Sequence, residues 1–310
     1  MTQNIAVSDF GKVAVLSGGF SNERDVSLNS GMAVLNALKS KGIDAHLFDP
    51  KEQALYELHK QGFQVAFNVL HGTFGEDGVV QGALESMNIP YTGCGVLSSA
   101  VSMDKYRTRL LWESAGLPNV PYVVLHDDSD FDAVEQQLGL PLFVKPACEG
   151  SSIGVVMISK KGELAKVYPT LKQYRGEILA EKAISGGEYA CAIIGNRALP
   201  TIRIIPKGQW YDFEAKYQRD DTIYQCPSDL SDDDEKKMQD LALKAFAVID
   251  GKDWGRVDFL RDENGELYLL EVNTVPGMTA HSLVPKAARQ IGLEFSELCV
   301  EILKLCIHNR

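Results

Sequence analysis

Two acidic side chains and an amide near the carboxyl end of the chain have the types and spacing to do metal-assisted chemistry. They lie in "WGRVDFLRDENGELYLLEVNT" (254–274). Asn264-Gly265, set between two alternating apolar runs, predicts a hairpin with a two-residue turn. That turn pairs Glu263 with Glu266. Counted back along both strands, it sets Asp258 opposite Glu271 and Arg256 opposite Asn273. The strand period of two then places all four on one face. Like charges directly opposite one another are destabilising. Facing carboxylates beside an amide oxygen are therefore best explained by a shared divalent cation. An all-oxygen set with open positions suits Mg²⁺, which takes phosphate oxygens and water as further ligands. A solvent-facing hairpin with no bound ion stays open on the pairing alone.

Three further stretches could complete a nucleotide site. "EGSSIG" (149–154) is a small-residue loop between two strands, able to turn successive backbone amides onto phosphate oxygens. Lys145 ends the apolar run before it, where a point charge reaches the same phosphates. The loop lacks the G-x-x-x-x-G-K-[ST] spacing of a Walker A motif. "ILAEKAISGGE" (178–188) carries Glu181, Lys182 and Glu188 around a turn. Backbone groups there could meet adenine and a carboxylate could meet ribose, although a surface strand with solvated charges explains it equally. In "SGGFSNERDVS" (17–27) Ser21 is the expected helix N-cap, and Glu23 either complements the helix dipole or holds a substrate ammonium. "SDDDE" (231–235) reads as a capped helix start, not a metal cluster.

The elements that must position these residues are of mixed α/β type. "KVAVLSGG" (12–19), "DAHLFD" (44–49) and "QVAFNVL" (64–70) alternate with helical patterns, one at 26–38 and one near 52–60. This βαβαβ order predicts a doubly wound parallel sheet with ligands at the carboxyl ends of its strands. Two helical patterns follow to about Gly116, then strands at "PYVVLH", "PLFVKP" and "GVVMIS". Further strands are expected at 188–195 and 198–206, and a polar segment at 207–226. Soft boundaries near 95 and 186 divide the chain into units 1–95, 96–186 and 187–310.

Composition narrows the classes. A net charge of −11 argues against nucleic-acid binding, which needs a basic face. Six scattered cysteines without a C-x-x-C pair fit reduced thiols. No signal peptide and no membrane helix is visible, so the expected location is the cytoplasm.

These pieces in this order resemble the D-alanine–D-alanine ligases of the ATP-grasp superfamily. The likeness spans nearly the whole chain. It rests on "GGFSNERDVSLNSG" (18–31), "LHGTFGEDGVVQG" (70–82), "VKPACEGSSIGV" (144–155), "YDFEAKY" (211–217), "WGRVDF" (254–259) and "LLEVNTVPGMTAHSLVP" (269–285). The resemblance implies a three-domain ATP-grasp architecture with ATP clamped between the second and third domains. It implies two Mg²⁺ ions, or Mn²⁺, on Asp258, Glu271 and Asn273. Lys105, Lys145 and Lys216 match phosphate-contacting lysines; Glu181, Lys182, Ile184 and Glu188 match adenine and ribose contacts. Glu23, Ser151, Tyr217 and His71 match the first D-alanine subsite, and Ser282 and Leu283 the group holding the second carboxylate. Arg256 and the Gly277 backbone N–H match the groups around the tetrahedral intermediate. Tyr217, where ester-forming relatives carry phenylalanine, favours a dipeptide product. The implied reaction makes D-alanyl-D-alanine through an acyl phosphate, releasing ADP and phosphate, for peptidoglycan precursors. A homodimer formed through the N-terminal domain is also implied. The polar segment 207–226, carrying Lys216 and Tyr217, is expected to act as a lid. Alternatives are a ligase for other acids and amines, a nicotinamide-dependent oxidoreductase, disfavoured by the missing G-x-G-x-x-G, and a non-catalytic nucleotide-binding module.

Overall fold

The computed structural model describes residues 7–208, 210–211 and 221–308. Near the start, β1 (Val13–Leu16), β2 (Ala45–Phe48) and β3 (Val65–Asn68) form a parallel sheet in the order β2-β1-β3. The uninterrupted apolar runs of β1 and β3 are buried on both faces, as strands covered by helices must be. Val13, Val15 and Phe67 pack on α1 (Arg24–Ser40) through Val34 and Leu38. On the other face Leu16 and Ala66 pack with Leu58 of α2 (Glu57–Lys60) and with Val80 and Leu84 of α3 (Val79–Ser86). The sheet is doubly wound as expected. The second helical pattern condenses to the single turn α2, and residues before it form turns.

Helices α4 (Val96–Ser102) and α5 (Lys105–Ser114) lead into a four-stranded antiparallel sheet. Its order is β4-β7-β5-β6, with β4 Tyr122–Leu125, β5 Leu142–Pro146, β6 Val156–Ile158 and β7 Ile178–Lys182. Alternation along β5 and β7 divides their side chains between two faces. Leu142, Val144, Ile178 and Ala180 pack under α6 (Phe131–Leu138) and α7 (Leu164–Leu171). Phe143, Lys145 and Glu181 therefore occupy the opposite face.

The third sheet is antiparallel, in the order β11-β10-β8-β12-β13 with the short β9 (Arg197–Ala198) against β8. Here β8 is Gly186–Ile194, β10 Ile202–Ile205, β11 Ile223–Gln225, β12 Trp254–Asp262 and β13 Leu267–Asn273. Part of the segment expected to be a polar lid is thus strand: β11 pairs with β10 along Ile223–Gln225. One face buries Tyr189, Cys191, Val257, Phe259 and Val272 against Met238, Ala242 and Phe246 of α8 (Asp232–Val248). Ser231 caps this helix by accepting from Asp234 N–H, as its sequence predicts. The chain ends in α9 (Leu283–Gln290) and α10 (Phe295–His308), and α10 packs back on α1.

The β12–β13 hairpin corrects the turn expected from Asn264-Gly265. Asp262 N–H donates to Glu266 O at 3.0 Å and Gly265 N–H to Asp262 O at 3.1 Å, so three residues, 263–265, form the loop. Gly265 takes φ +90°, the left-handed position that such loops reserve for glycine. Arg261 then pairs with Leu267 and Phe259 with Leu269, one step away from the expected register. A β-bulge at Leu270 restores it. Beyond the bulge Asp258 faces Glu271 and Arg256 faces Asn273, as the two-residue turn had implied. Without the extra residue Asp258 would pair with Leu270, and Glu271 would turn toward the buried side opposite Val257.

Gly255 on β12 has no room for a side chain, because an added Cβ would lie 2.6 Å from the Phe246 ring. Gly255→Ala should cost about 1–3 kcal/mol through overpacking. It should also depress turnover by displacing the neighbouring Arg256. A denaturant midpoint and a rate both equal to wild type would contradict this packing.

Candidate active site

Strand alternation builds the site on the face of the third sheet that looks away from α8. Asp258 is paired with Ala190 and Arg256 with Ala192 across β8. Asp258 is only 4% exposed, so its charge must be compensated locally. Arg256 does this in a fork, Nε to Oδ1 at 2.6 Å and Nη2 to Oδ2 at 2.7 Å. Asn273 Nδ2 donates to Oδ2 at 3.0 Å. Burial alone would lower the pKa of Arg256, but the charge and hydrogen bonds of Asp258, with the nearby charge of Glu271, raise it on balance. Glu271 is met by Lys105 Nζ at 3.3 Å, which also donates to Glu149 O at 2.7 Å. One lysine at the start of α5 therefore joins the Gly-Ser loop to the end of β13.

The donor chemistry fits a hard cation. Two carboxylates and an amide converge, and an Asn amide turned over about its last bond presents oxygen where it now presents nitrogen. Among the described residues no three His, Cys, Asp or Glu side chains gather as a metal site, so the amide is needed to complete the set.

Above the corner lies a cavity of about 860 Å³ lined by Arg256, Glu271, Asn273 and Lys105. Glu23, His71 and Ser151 line it from one side, and Gly277, Ser282 and Leu283 from another. Ser151 Oγ donates to Glu23, joining two expected members of one subsite. Ser151 and Ser152 take φ of +51° and +61°, left-handed backbone that few non-glycine residues adopt. Glu23 occupies the N-cap position of α1 without a side-chain cap bond; Ser21 Oγ accepts from Glu23 N–H at 3.2 Å, as expected of a residue opening the first turn, and also donates to His71 O at 2.6 Å. His71 Nδ1 lies 3.6 Å from Glu76, a residue to which the sequence alone assigns no role. Burial works to lower the His71 pKa, but Glu76 and Glu23 raise it on balance. Ser282 is the N-cap position of α9, its Oγ accepting from Thr279 N–H at 3.0 Å. A Cβ at Gly277 would come 3.1 Å from that Oγ, a tight contact that would press on the Ser282 side chain.

Lys145 and Glu181 form a buried layer beside the cavity, with Lys145 Nζ 2.8 Å from Glu181. Burial pushes Lys145 down to about 8, with Arg109 and Lys105 adding to the fall and Glu181 opposing it. The expected adenine contact Glu181 is thus already held by cations within the protein. Its second partner, Arg109 at 2.8 Å, is wholly buried and was not anticipated from the sequence. A clue was available: Arg109 follows Lys105 by four residues and so shares its helix face. Lys182 is exposed at the end of β7, and Ile184 is half-buried in the link to β8. Glu188 lies on β8 opposite Leu260, on the same sheet face as Asp258. Lys216 and Tyr217 fall outside the described residues.

The geometry belongs with a known group. The family described as the D-ala D-ala ligase C-terminus matches residues 111–304, and the corresponding N-terminus family matches 50–94. The D-alanine–D-alanine ligase of Neisseria meningitidis serogroup B is 62% identical over 299 residues, covering 96% of this chain and 98% of that protein. The crystal structure of the ligase from Bacillus anthracis superposes with a TM-score of 0.84 at 32% identity, covering 96% and 98% of the two chains. That ligase complexed with ATP gives a TM-score of 0.83 at 30% identity, with the same coverage. Fold and relatives together define a carbon–nitrogen ligase of ATP-grasp type. The chain belongs to the D-alanine–D-alanine ligase family. No helix among the described residues is long and apolar enough to cross a membrane.

Removing one partner of a buried ion pair strands the other. Arg256→Met should therefore lower stability by about 3–5 kcal/mol, and adding Asp258→Asn should recover most of the loss. Urea midpoints of the single and double variants test this; equal midpoints would show that Asp258 does not depend on Arg256.

Proposed function

We propose that this protein joins two D-alanine molecules to D-alanyl-D-alanine at the expense of ATP, through an acyl phosphate, supplying a peptidoglycan precursor. The observation that carries this reading is the convergence of Arg256, Glu271 and Asn273, with Asp258 paired to Arg256 behind them, and the Glu23–Ser151 pair on one cavity. The ATP complex of the Bacillus anthracis relative supports the choice of nucleotide.

A free carboxylate does not form an amide until one of its oxygens becomes a leaving group. Transfer of the γ-phosphoryl of ATP to the first D-alanine achieves this, and such transfer depends chiefly on positioning and charge neutralisation. Glu23 would take the first ammonium, with Ser151 holding the carboxylate in place and His71 as a neighbour. Lys105, Lys145 and Lys216 would face the phosphates, and Glu181, Lys182, Ile184 and Glu188 the adenosine. Asp258, Glu271 and Asn273 would hold Mg²⁺, which when bound neutralises phosphate charge. Ser282 and Leu283, at the positive end of α9, would receive the carboxylate of the second D-alanine. Its deprotonated amine attacks the acyl carbon, and Arg256 with the Gly277 N–H stabilises the oxyanion that forms. Collapse expels phosphate. Three domains at 1–95, 96–186 and 187–310, a homodimer and a cytoplasmic location complete the reading.

Purified protein with ATP, Mg²⁺ and D-alanine should release ADP and form the dipeptide in equal amounts. D-alanine-independent ATP hydrolysis, or preference for another acid and amine, would replace this assignment. Glu271→Gln should remove turnover by more than about 100-fold while leaving the thermal transition near that of wild type. Full activity in that variant would remove Glu271 from the metal set.

A further inference from the structure

We infer that Arg109 is a positioning residue, a fixed counter-ion that neutralises Glu181 so that Lys145 can leave it for the nucleotide phosphates. This rests on the reading of Lys145 as a phosphate contact.

Arg109 lies on α5 with no exposed surface, in a layer reached by no part of the open cavity. Its Nη1 is 2.8 Å from Glu181 Oε1, an ionic contact whose angle falls outside hydrogen-bond geometry. Its guanidinium centre lies 5.1 Å from the centroid of the Tyr122 ring, and its Nε and Nη2 make no hydrogen bond among the described residues. The position is therefore set by one carboxylate and one aromatic face. Glu181 is 3% exposed and carries a second cation, Lys145, on its other oxygen at 2.8 Å.

Two cations on one buried carboxylate leave an excess positive charge, an expensive arrangement in a dry layer unless one of them has another use. The two differ in what they can do. Arg109 is enclosed on every side and its planar group cannot lose its proton. Lys145 has a flexible stem, lies one residue before the end of β5, which leads to the Gly-Ser loop, and shares its neighbourhood with Lys105, which already lines the cavity. Were Arg109 absent, departure of Lys145 would leave Glu181 buried and uncompensated. With Arg109 present, the carboxylate stays paired in both positions of the lysine. Burial would raise the Glu181 pKa, but Arg109 and then Lys145 hold it lowered on balance, in keeping with a carboxylate charged throughout.

The charged groups facing Lys145 are Glu181 from β7 and Arg109 and Lys105 from α5. Removing Arg109 takes away a like charge and leaves Lys145 as the sole partner of Glu181. Its pKa must then rise from about 8. The amine is held back from ATP in the same step.

The test compares wild type, Arg109→Gln, Arg109→Lys, Glu181→Gln, the double variant Arg109→Gln/Glu181→Gln and Lys145→Met in ATP- and D-alanine-dependent ADP release. Arg109→Gln should raise KM for ATP by about tenfold, change kcat by less than about twofold and move the alkaline limb of kcat/KM for ATP upward. Arg109→Lys, which keeps the charge, should restore both KM and the limb. In the Glu181→Gln background the loss of Arg109 should add nothing to KM for ATP, because the charge it balances is gone. A KM penalty of equal size in both backgrounds overturns the proposal, since the two residues would then act independently. A fall in melting temperature with an unmoved pH limb overturns it in favour of a packing role. Should Arg109→Gln alone not fold, the double variant, which strands no charge, supplies the comparison with Glu181→Gln; any KM penalty there overturns the proposal. Lys145→Met separates the underlying reading: if its KM for ATP is normal, the phosphate assignment fails, whatever Arg109 does.

Discussion

The site depends on one constraint, that a carboxylate removed from water must keep a cation beside it. Asp258 has Arg256, Glu271 has Lys105, and Glu181 has Arg109 and Lys145. Three of these cations, Lys105 and Arg109 from α5 and Lys145 from β5, reach carboxylates on other strands, so those pairs also fix how the elements meet. Lys105 ties α5 to β13, and Arg109 ties α5 to β7. The pairs leave the cavity floor close to neutral before any ligand enters. A polyphosphate arriving there, on the reading proposed, draws cations from partners that the chain already supplies. The cost of burying charge is then met during folding and not at each turnover, which is the physical content of preorganisation.

The faces that carry these pairs follow from strand alternation and were legible in the sequence. Val257, Phe259 and Val272 are large and apolar, so they bury against α8 and force Asp258, Arg256 and Asn273 to the other side. The register was legible for an incomplete reason. Asn264-Gly265 pointed to a two-residue turn, but Asp262 Oδ1 accepts from both Asn264 and Glu266 N–H at 2.9 Å and stabilises a wider loop. The slip this introduces is cancelled by the bulge at Leu270. Burial at Leu269 and Val272 but not between them is the trace of that bulge, and a strict two-residue period does not contain it.

Long-range partners were the illegible part. Ser21 accepts the local Glu23 N–H as its place suggests, but it also donates to the backbone of His71, fifty positions away. Nothing local announces that contact, because both groups are brought together only when β1 and β3 pair in parallel. The packing of α10 on α1 is hidden for the same reason. Ile223–Gln225 looked like part of a polar loop because a three-residue edge strand has too little pattern to stand out. The family motifs made up for this at the ligand-facing positions, where residue type is set by chemistry. They assigned no role to Glu76, which lies within one of them, and did not include Arg109, whose partner is another side chain of the protein.

That division explains why the cleft uses both kinds of cation. Arginine spreads its charge over a plane, stays protonated and packs on aromatic rings, so it can sit permanently in a dry layer, as Arg109 does over Tyr122. Lysine carries a compact charge on a flexible stem and yields its proton more readily when buried, as the lowered pKa of Lys145 shows. A residue required to exchange partners has to be of the second kind, and the residue it leaves behind has to be covered by the first. At the corner a forked arginine compensates the buried Asp258 on its own strand, while Lys105 meets the more exposed Glu271. Arg109 holds its carboxylate in place permanently, and Lys145 is left to answer the ligand.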